Sequence, residues 1–254
     1  MNLIIWNARG ANSVEFQGHC FSMLSIHKPF MLALLETRMI NHSTLIGNLG
    51  LSKHIQSEAT GQSRGLVLMW NEDKLSITDI SASYQSIYVD VQVYSPPSIW
   101  FLSIIYAATS LSDRKSLWNQ LETMANVVNK DTQNSWLIGG AFNKILTFSD
   151  KYGGNAINNS RAGHFWNCIN NCKLLNLGFK GSKYTWTNKR YRNRGNLILE
   201  RLDRCFANET WIHKLPEATV THLSKIHSDH CPLLIGLSKA NQGTLDKPFK
   251  VKSM

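Results

Sequence analysis

The sequence has no uninterrupted apolar stretch of about 18 residues, which excludes a transmembrane helix, and no membrane partner is expected. Its first residues, Met1 to Asn7, lack the charged-then-apolar order of a signal peptide. They read as a short strand, so the domain is expected to begin at its first residue. Cysteines are few: Cys20, Cys168, Cys172, Cys205 and Cys231. An odd, scattered set excludes a disulfide framework and points to a reducing, intracellular compartment, nucleus or cytoplasm. Cys168 and Cys172 are four apart, but no second close pair exists, so no structural zinc is expected there. No internal repeat or low-complexity segment is present. Acidic residues are scarce, 17 against 27 Lys and Arg, which leaves a formal charge of +10. That balance suggests a polyanionic partner, most simply nucleic acid; a basic solvated face is the plainer alternative.

What is present is a β-rich chain of 254 residues, long enough for one large core. Leu3–Asn7, Met31–Leu35, Gly65–Trp70, Leu75–Ile80, Ile87–Tyr94, Trp100–Tyr106 and Ser135–Ile138 read as strands. So do Tyr184–Thr187, Leu197–Phe206, Thr219–Leu223 and Leu233–Leu237. Turn residues at 71–73 and 95–98 predict hairpins and antiparallel pairing. Ile87, Val89, Val91 and Val93 fall on one strand face. Helical spacing follows Ser112, a predicted N-cap, through Leu117, Leu121, Met124 and Val128. It recurs after Ser160, through Phe165, Ile169 and Cys172, and more weakly over Glu15–His27. Many strands with a few separated helices predict an α/β sandwich of two packed, mainly antiparallel sheets with helices on their outer faces. The apolar pattern stops near residue 238, so 1–238 reads as the domain and 239–254 as a basic linker or tail.

Polar residues just past apolar strands are places where a sheet end presents chemistry. They are Asn7 with Arg9, Glu36, Tyr106, Ala141 and Asn143 in Gly140-Ala141-Phe142-Asn143, and Ser228-Asp229-His230. Asp203 lies inside a strand. Singly, each has an ordinary reading: a solvated Glu, a turn Asn, a packed Tyr. The Asp-His pair beside a proline makes general acid–base work plausible, against a turn-capping Asp beside a surface His.

Taken in order, the motifs Trp6-Asn7-x-Arg9-Gly10, Leu34-Leu35-Glu36-Thr37-Arg38, Ile105-Tyr106-Ala107, Gly140-x-Phe142-Asn143, Tyr184-Thr185-Trp186, Glu200-Arg201-Leu202-Asp203-Arg204 and Ser228-Asp229-His230-x-Pro232 span residues 6 to 232. Together they resemble the endonuclease/exonuclease/phosphatase superfamily. Trp136-Leu137-Ile138-Gly139-Gly140, Asp150 to Gly154, Leu177 to Gly181, Arg201 to Arg204 and the closing Lys247-Pro248-Phe249-Lys250 are similar to the apurinic-endonuclease-like endonuclease domain of plant LINE-type (non-LTR) retrotransposons.

The resemblance implies a DNase-I-like, four-layered α/β sandwich and a phosphodiesterase that nicks double-stranded DNA, leaving a 3′-hydroxyl primer. It implies a Mg2+ or Mn2+ ion held by Glu36 with Asn7 and Asp229, the hard-oxygen donors that suit phosphate chemistry. Asn7 would also meet the scissile phosphate, and Tyr106, Thr185 and Ser228 would hydrogen-bond phosphate oxygens. His230, oriented by Asp203, would manage a proton or stabilise charge; Asn143 would position the nucleophile or phosphate. A reverse transcriptase domain would follow C-terminally in a parent protein.

The departure is Ala141, where the family pattern has Asp. A methyl group cannot orient or deprotonate water, nor protonate a leaving oxygen, so activity is expected to fall by about 10²–10⁴ or more. Decay scatters damage over several positions, whereas an engineered Asp-to-Ala change leaves the rest intact, as here. A second departure, Asn176 before Leu177-Gly178-Phe179, where relatives often carry Asp, reads as structural. Between two strands, Lys189, Arg190, Arg192 and Arg194 with Tyr191 form a basic hairpin tip suited to phosphate contact and minor-groove insertion. A solvated basic turn is the alternative. Lys183, Arg161 and Arg38 extend this surface. Other readings are a naturally inactive nucleic-acid-binding module, a repair-type abasic endonuclease and a small-substrate phosphatase. The basic charge argues against the phosphatase.

Overall fold

A computed structural model describes residues 1–60, 63–155, 159–192 and 194–237. In chain order the elements are β1 (Asn2–Asn7), α1 (Val14–His27), β2 (Met31–Leu35), α2 (Ser43–Asn48), β3 (Lys53–Thr60), β4 (Ser63–Trp70), β5 (Leu75–Ser83), β6 (Ser86–Tyr94) and β7 (Pro97–Tyr106). Then come α3 (Leu111–Val128), β8 (Trp136–Ala141), β9 (Lys151–Tyr152), α4 (Asn159–Asn171), β10 (Leu175–Asn176), β11 (Lys180–Gly181), β12 (Trp186–Thr187) and β13 (Leu199–Glu200). The last are β14 (Asp203–Ala207), α5 (Glu209–Lys214), β15 (Thr219–His222) and β16 (Leu233–Gly236). The expected tail 239–254 lies outside the described residues.

Two large sheets result, ordered β11-β15-β16-β1-β2-β4-β3 and β10-β14-β8-β7-β6-β5, with a small third sheet β12-β13-β9. Most neighbours are antiparallel, but β1–β2, β7–β8 and β11–β15 run parallel. Side-chain alternation sorts the central strands into layers. Leu3, Ile5, Met31, Ala33 and Leu35 enter the core shared with Val89, Leu102, Ile104 and Leu137 of the second sheet. Their alternates Ile4, Trp6, Leu32 and Leu34 pack under α1 and α2. On the other side, Ile105, Trp136 and Ile138 pack against Leu117, Leu121, Phe165 and Ile169 of α3 and α4. The order is helices, sheet, sheet, helices: the expected four-layered sandwich. Burial on both faces explains why β1, β2 and β8 read as near-continuous apolar runs.

Local differences have physical causes. The cap of α3 is Ser110, whose hydroxyl accepts from the Asp113 N–H; Ser112 sits one residue inside the helix. Polar β3 escaped the apolar pattern because it is the half-exposed edge of its sheet. The continuous strand expected over Leu197–Phe206 is broken at Arg201-Leu202. There the Arg201 N–H turns to the Asp150 carbonyl, and the Leu202 N–H is received by the Thr185 hydroxyl. The halves, β13 and β14, therefore join different sheets. All five cysteines are free and buried. The contact with Cys172 and burial push the Cys168 thiol up, so it behaves as a core residue.

Gly140 is a point where only glycine fits. Its φ is +146°, and a Cβ there would run into the backbone of Ile105 on the neighbouring strand. Gly140→Ala is expected to cost about 3 kcal/mol or more, from backbone strain and overpacking together. Urea unfolding checks this; a loss under about 1 kcal/mol contradicts the close approach of β7 and β8.

Candidate active site

The site is the polar continuation of the core between the sheets. Alternation carries Leu3 and Ile5 to Asn7, Leu102 and Ile104 to Tyr106, Leu137 and Gly139 to Ala141, and Ala207 and Cys205 to Asp203. The register places Tyr106 opposite Ala141 and Ala141 opposite Asp203 on adjacent strands. Cross-strand partners share a face at about 5 Å, so the three form a row with Ala141 in the middle.

One end of the row leads to Glu36. Tyr106 donates its hydroxyl to Glu36 Oε2 at 3.1 Å. Burial and the adjacent carboxylate push the Tyr106 phenol well above its ordinary range, so it stays a donor. Glu36 Oε1 receives Arg38 Nη2 at 3.1 Å, with Arg9 Nε 3.6 Å away. Arg9 also reaches Asp229 Oδ2 through Nη1 at 3.2 Å, so one guanidinium spans two carboxylates. Backbone bonds from Ala8, Gly10 and Ala11 to Leu35, Glu36 and Thr37 zip the two supporting loops together. Arg9, Glu36, Arg38 and Asn143 all have φ between +48° and +58°, a sparsely populated conformation for non-glycine residues. Such strain concentrates where surrounding structure holds functional groups in place.

The other end leads to His230. Its Nδ1 lies 2.8 Å from Asp203 Oδ2, with both side chains almost wholly buried. Thr185 Oγ1 receives the Leu202 and Asp203 N–H groups, each at 3.0 Å. Ser228 donates its hydroxyl to the Asn7 carbonyl at 2.7 Å and accepts the His230 N–H at 3.1 Å. Thr185 and Ser228, expected at the phosphate, are thus buried and engaged with backbone groups that hold Asp203 and His230. Trp186 Nε1 donates to Asp229 Oδ2 at 2.9 Å, an orienting role its place in Tyr-Thr-Trp did not reveal. Asn143 donates to the Ala107 carbonyl at 2.6 Å.

A cleft of about 590 Å³ lies beside these groups, lined in part by Arg9, Arg38, Lys189, Arg190, Ser228 and Asp229; Glu36, Ala141, Asp203 and His230 are not in its lining. Asn188 closes the expected basic hairpin: Oδ1 accepts the Arg190 and Ile198 N–H groups and Nδ2 donates to the Asn196 carbonyl. Lys189, Arg190, Tyr191 and Arg192 are exposed on it. The side chains of Arg194 and Arg161 lie outside the described residues.

Asn7, Glu36 and Asp229 supply only oxygen donors from side chains, the set a hard divalent cation takes. Asn7 Nδ2 is buried with no hydrogen-bond partner, a donor left over for a ligand in the site. The residues fit a hard divalent cation.

No family model matches the sequence, and no curated protein matches it. Solved structures do. The AP endonuclease of Leishmania major aligns at TM-score 0.73 with 16% identity over 92% of this chain and 86% of that one. The endonuclease domain of TRAS1, a telomere-specific non-LTR retrotransposon, aligns at 0.65 with 16% identity over 93% and 97%. A 3′-5′ exonuclease from Neisseria meningitidis aligns at 0.69 with 14% identity over 94% and 100%. The chain has the DNase-I-like fold of the endonuclease/exonuclease/phosphatase superfamily.

Within this DNase-I-like frame the second departure finds a setting. Asn176 Oδ1 receives Arg201 Nη2 at 3.3 Å. Arg201 also stacks on Phe179 at 4.2 Å, and its buried Nε has no partner. The neighbouring Arg204 is salt-bridged to buried Asp150. Despite burial, Arg204 and the Thr147 donors hold the Asp150 carboxyl below its usual range. Burial and then Arg204 push Arg201 down to about 10. Two guanidiniums thus crowd one carboxylate. Asn176→Asp is expected to add about 1 kcal/mol, or about 2–4 °C in Tm for a domain of this size. Calorimetry checks it; a lower Tm contradicts this charge balance.

Proposed function

We propose that this chain is a metal-dependent phosphodiesterase built to nick double-stranded DNA and leave a 3′-hydroxyl, disabled by Ala141. The observation that carries the reading is the row Tyr106–Ala141–Asp203. The position lacking its carboxylate stands between the group that orients Glu36 and the group that orients His230.

In this reading Glu36, Asn7 and Asp229 hold Mg2+, or Mn2+ in its place. When bound, the ion polarises the phosphate and offsets charge developing on its oxygens. Tyr106 and Arg38 fix the Glu36 carboxylate, and Arg9, two-fifths exposed on its side chain, withdraws from the carboxylates toward the DNA backbone. His230 meets the phosphate through Nε2, while Asp203 fixes its ring and tautomer. Asn7 Nδ2 and Asn143 position the phosphate and the attacking water. Thr185 and Ser228 brace Asp203 and His230. An Asp at 141 would take the proton from water or give one to the leaving oxygen, and alanine removes that step. The cleft and hairpin supply phosphate contacts from Arg9, Lys189, Arg190, Arg192 and Arg194. In this reading residues 1–238 are the endonuclease domain and 239–254 a basic linker or tail, and the protein works in the nucleus or the cytoplasm.

The reading is supported by the +10 charge, the oxygen donor set and the likeness to a retrotransposon endonuclease. A related structure of a 3′ phosphatase from Neisseria holds a product DNA hairpin. Ala141→Asp, with Mg2+ and supercoiled plasmid, is expected to nick at least about 100-fold faster than the chain as it stands. His230→Ala added to the restored protein abolishes the gain. A folded Ala141→Asp protein that cuts neither plasmid nor abasic duplex contradicts the reading and leaves a nucleic-acid-binding module.

The hairpin is tested separately. Neutralising Lys189, Arg190 and Arg192 together should weaken duplex binding and flatten the plot of log K against log salt by about 0.9 for each phosphate no longer neutralised. An unchanged slope makes the loop a solvated turn.

A further inference from the structure

On the outer side of the first sheet, where His227 borders the cleft, stand three residues of different ligand chemistry. Glu15 and His19 are one turn apart on α1, so they lie on the same helix face. His227 comes from the loop just before Ser228. Their ligand atoms all lie within 4.8 Å of one another. His19 Nδ1 is shielded from water and has no hydrogen-bond partner. The His19 and His227 rings are 6.2 Å apart, and His227 is set edge-on against Phe16 at 5.5 Å. Phe16 itself is buried and stacked on Trp6 at 4.9 Å, which anchors the helix and this histidine to the core.

We infer that Glu15, His19 and His227 form a second cation site, selective for an imidazole-preferring divalent ion of the Zn2+ type. Metal–ligand bonds of about 2.0–2.2 Å place tetrahedral ligand atoms about 3.4 Å apart, within small side-chain adjustments of the present spacing. Two imidazoles and one carboxylate leave a fourth position for water. Mg2+ keeps its waters and prefers oxygen, so the Asn7–Glu36–Asp229 set and this set would sort different ions. The site also has a lever. His227 adjoins Ser228, whose hydroxyl ties the Asn7 carbonyl to the His230 N–H, so an ion here would clamp the segment 227–230. The inference stands independently of the phosphodiesterase reading.

The test is calorimetric titration of Zn2+ into the full chain in excess Mg2+, with a parallel melting curve. One equivalent should bind and raise the Tm. His19→Ala and His227→Ala should weaken binding at least about tenfold and remove the Tm shift, while His164→Ala, exposed on α4, changes neither. Glu15 is exposed, so Glu15→Gln keeps the test valid if a histidine variant fails to fold; it too should weaken binding. Absence of a saturable equivalent, or wild-type affinity in Glu15→Gln and His19→Ala, overturns the site.

Discussion

Everything in this molecule depends on how far the apolar rows between the two sheets run before they turn polar. Four inner-facing rows end in Asn7, Tyr106, position 141 and Asp203, all at the same end of the sandwich. Because each is the next inward step of a packed strand, the site inherits the rigidity of the core. Polar groups at the end of an apolar layer must still be satisfied. Tyr106 settles on Glu36, Asp203 on His230, and the Asn7 carbonyl on Ser228. Asn7 Nδ2 is left over.

Electrostatics then explains the basic rim. Glu36 and Asp229 are spanned by Arg9, and Arg38 adds a second cation to Glu36. The cleft therefore presents cations outward and carboxylates inward, the arrangement that the proposed reading assigns to a polyanion and a divalent ion. Ala141 fits this balance in an unforced way. Its methyl is fully buried between Tyr106 and Asp203, where a carboxylate without a metal or phosphate nearby would carry a desolvation cost. In the proposed reading, lost activity at this position and a gain in apoprotein stability would go together.

Much of this was legible in the sequence because the central strands are apolar on both faces and end in recognisable polar residues. β2 matched its expected bounds, and the inward alternation of Ile87 to Val93 was plain. What stayed hidden was set by tertiary partners. The break at Arg201-Leu202 needs Asp150 and Thr185, which are distant in sequence. Polar β3 has an edge to join only once β4 is in place. The backbone partners of the Thr185 and Ser228 hydroxyls, which brace Asp203 and His230, are likewise distant in sequence or unmarked in the motif. The left-handed conformations at Arg9, Glu36 and Arg38 have no signature in residue type. The Glu15–His19–His227 cluster joins one helix turn to a loop over 200 residues away.

The central claim is that the ion- and phosphate-holding parts of the site are whole and only the group at 141 is missing. It is tested most directly by anomalous diffraction from crystals of the unaltered chain grown with Mn2+ and duplex DNA. The account predicts one Mn2+ peak among Glu36, Asn7 and Asp229, with an uncut phosphodiester beside His230 Nε2. A peak absent from Glu36, or DNA lying elsewhere than the cleft between Arg9 and the 188–196 hairpin, would contradict it.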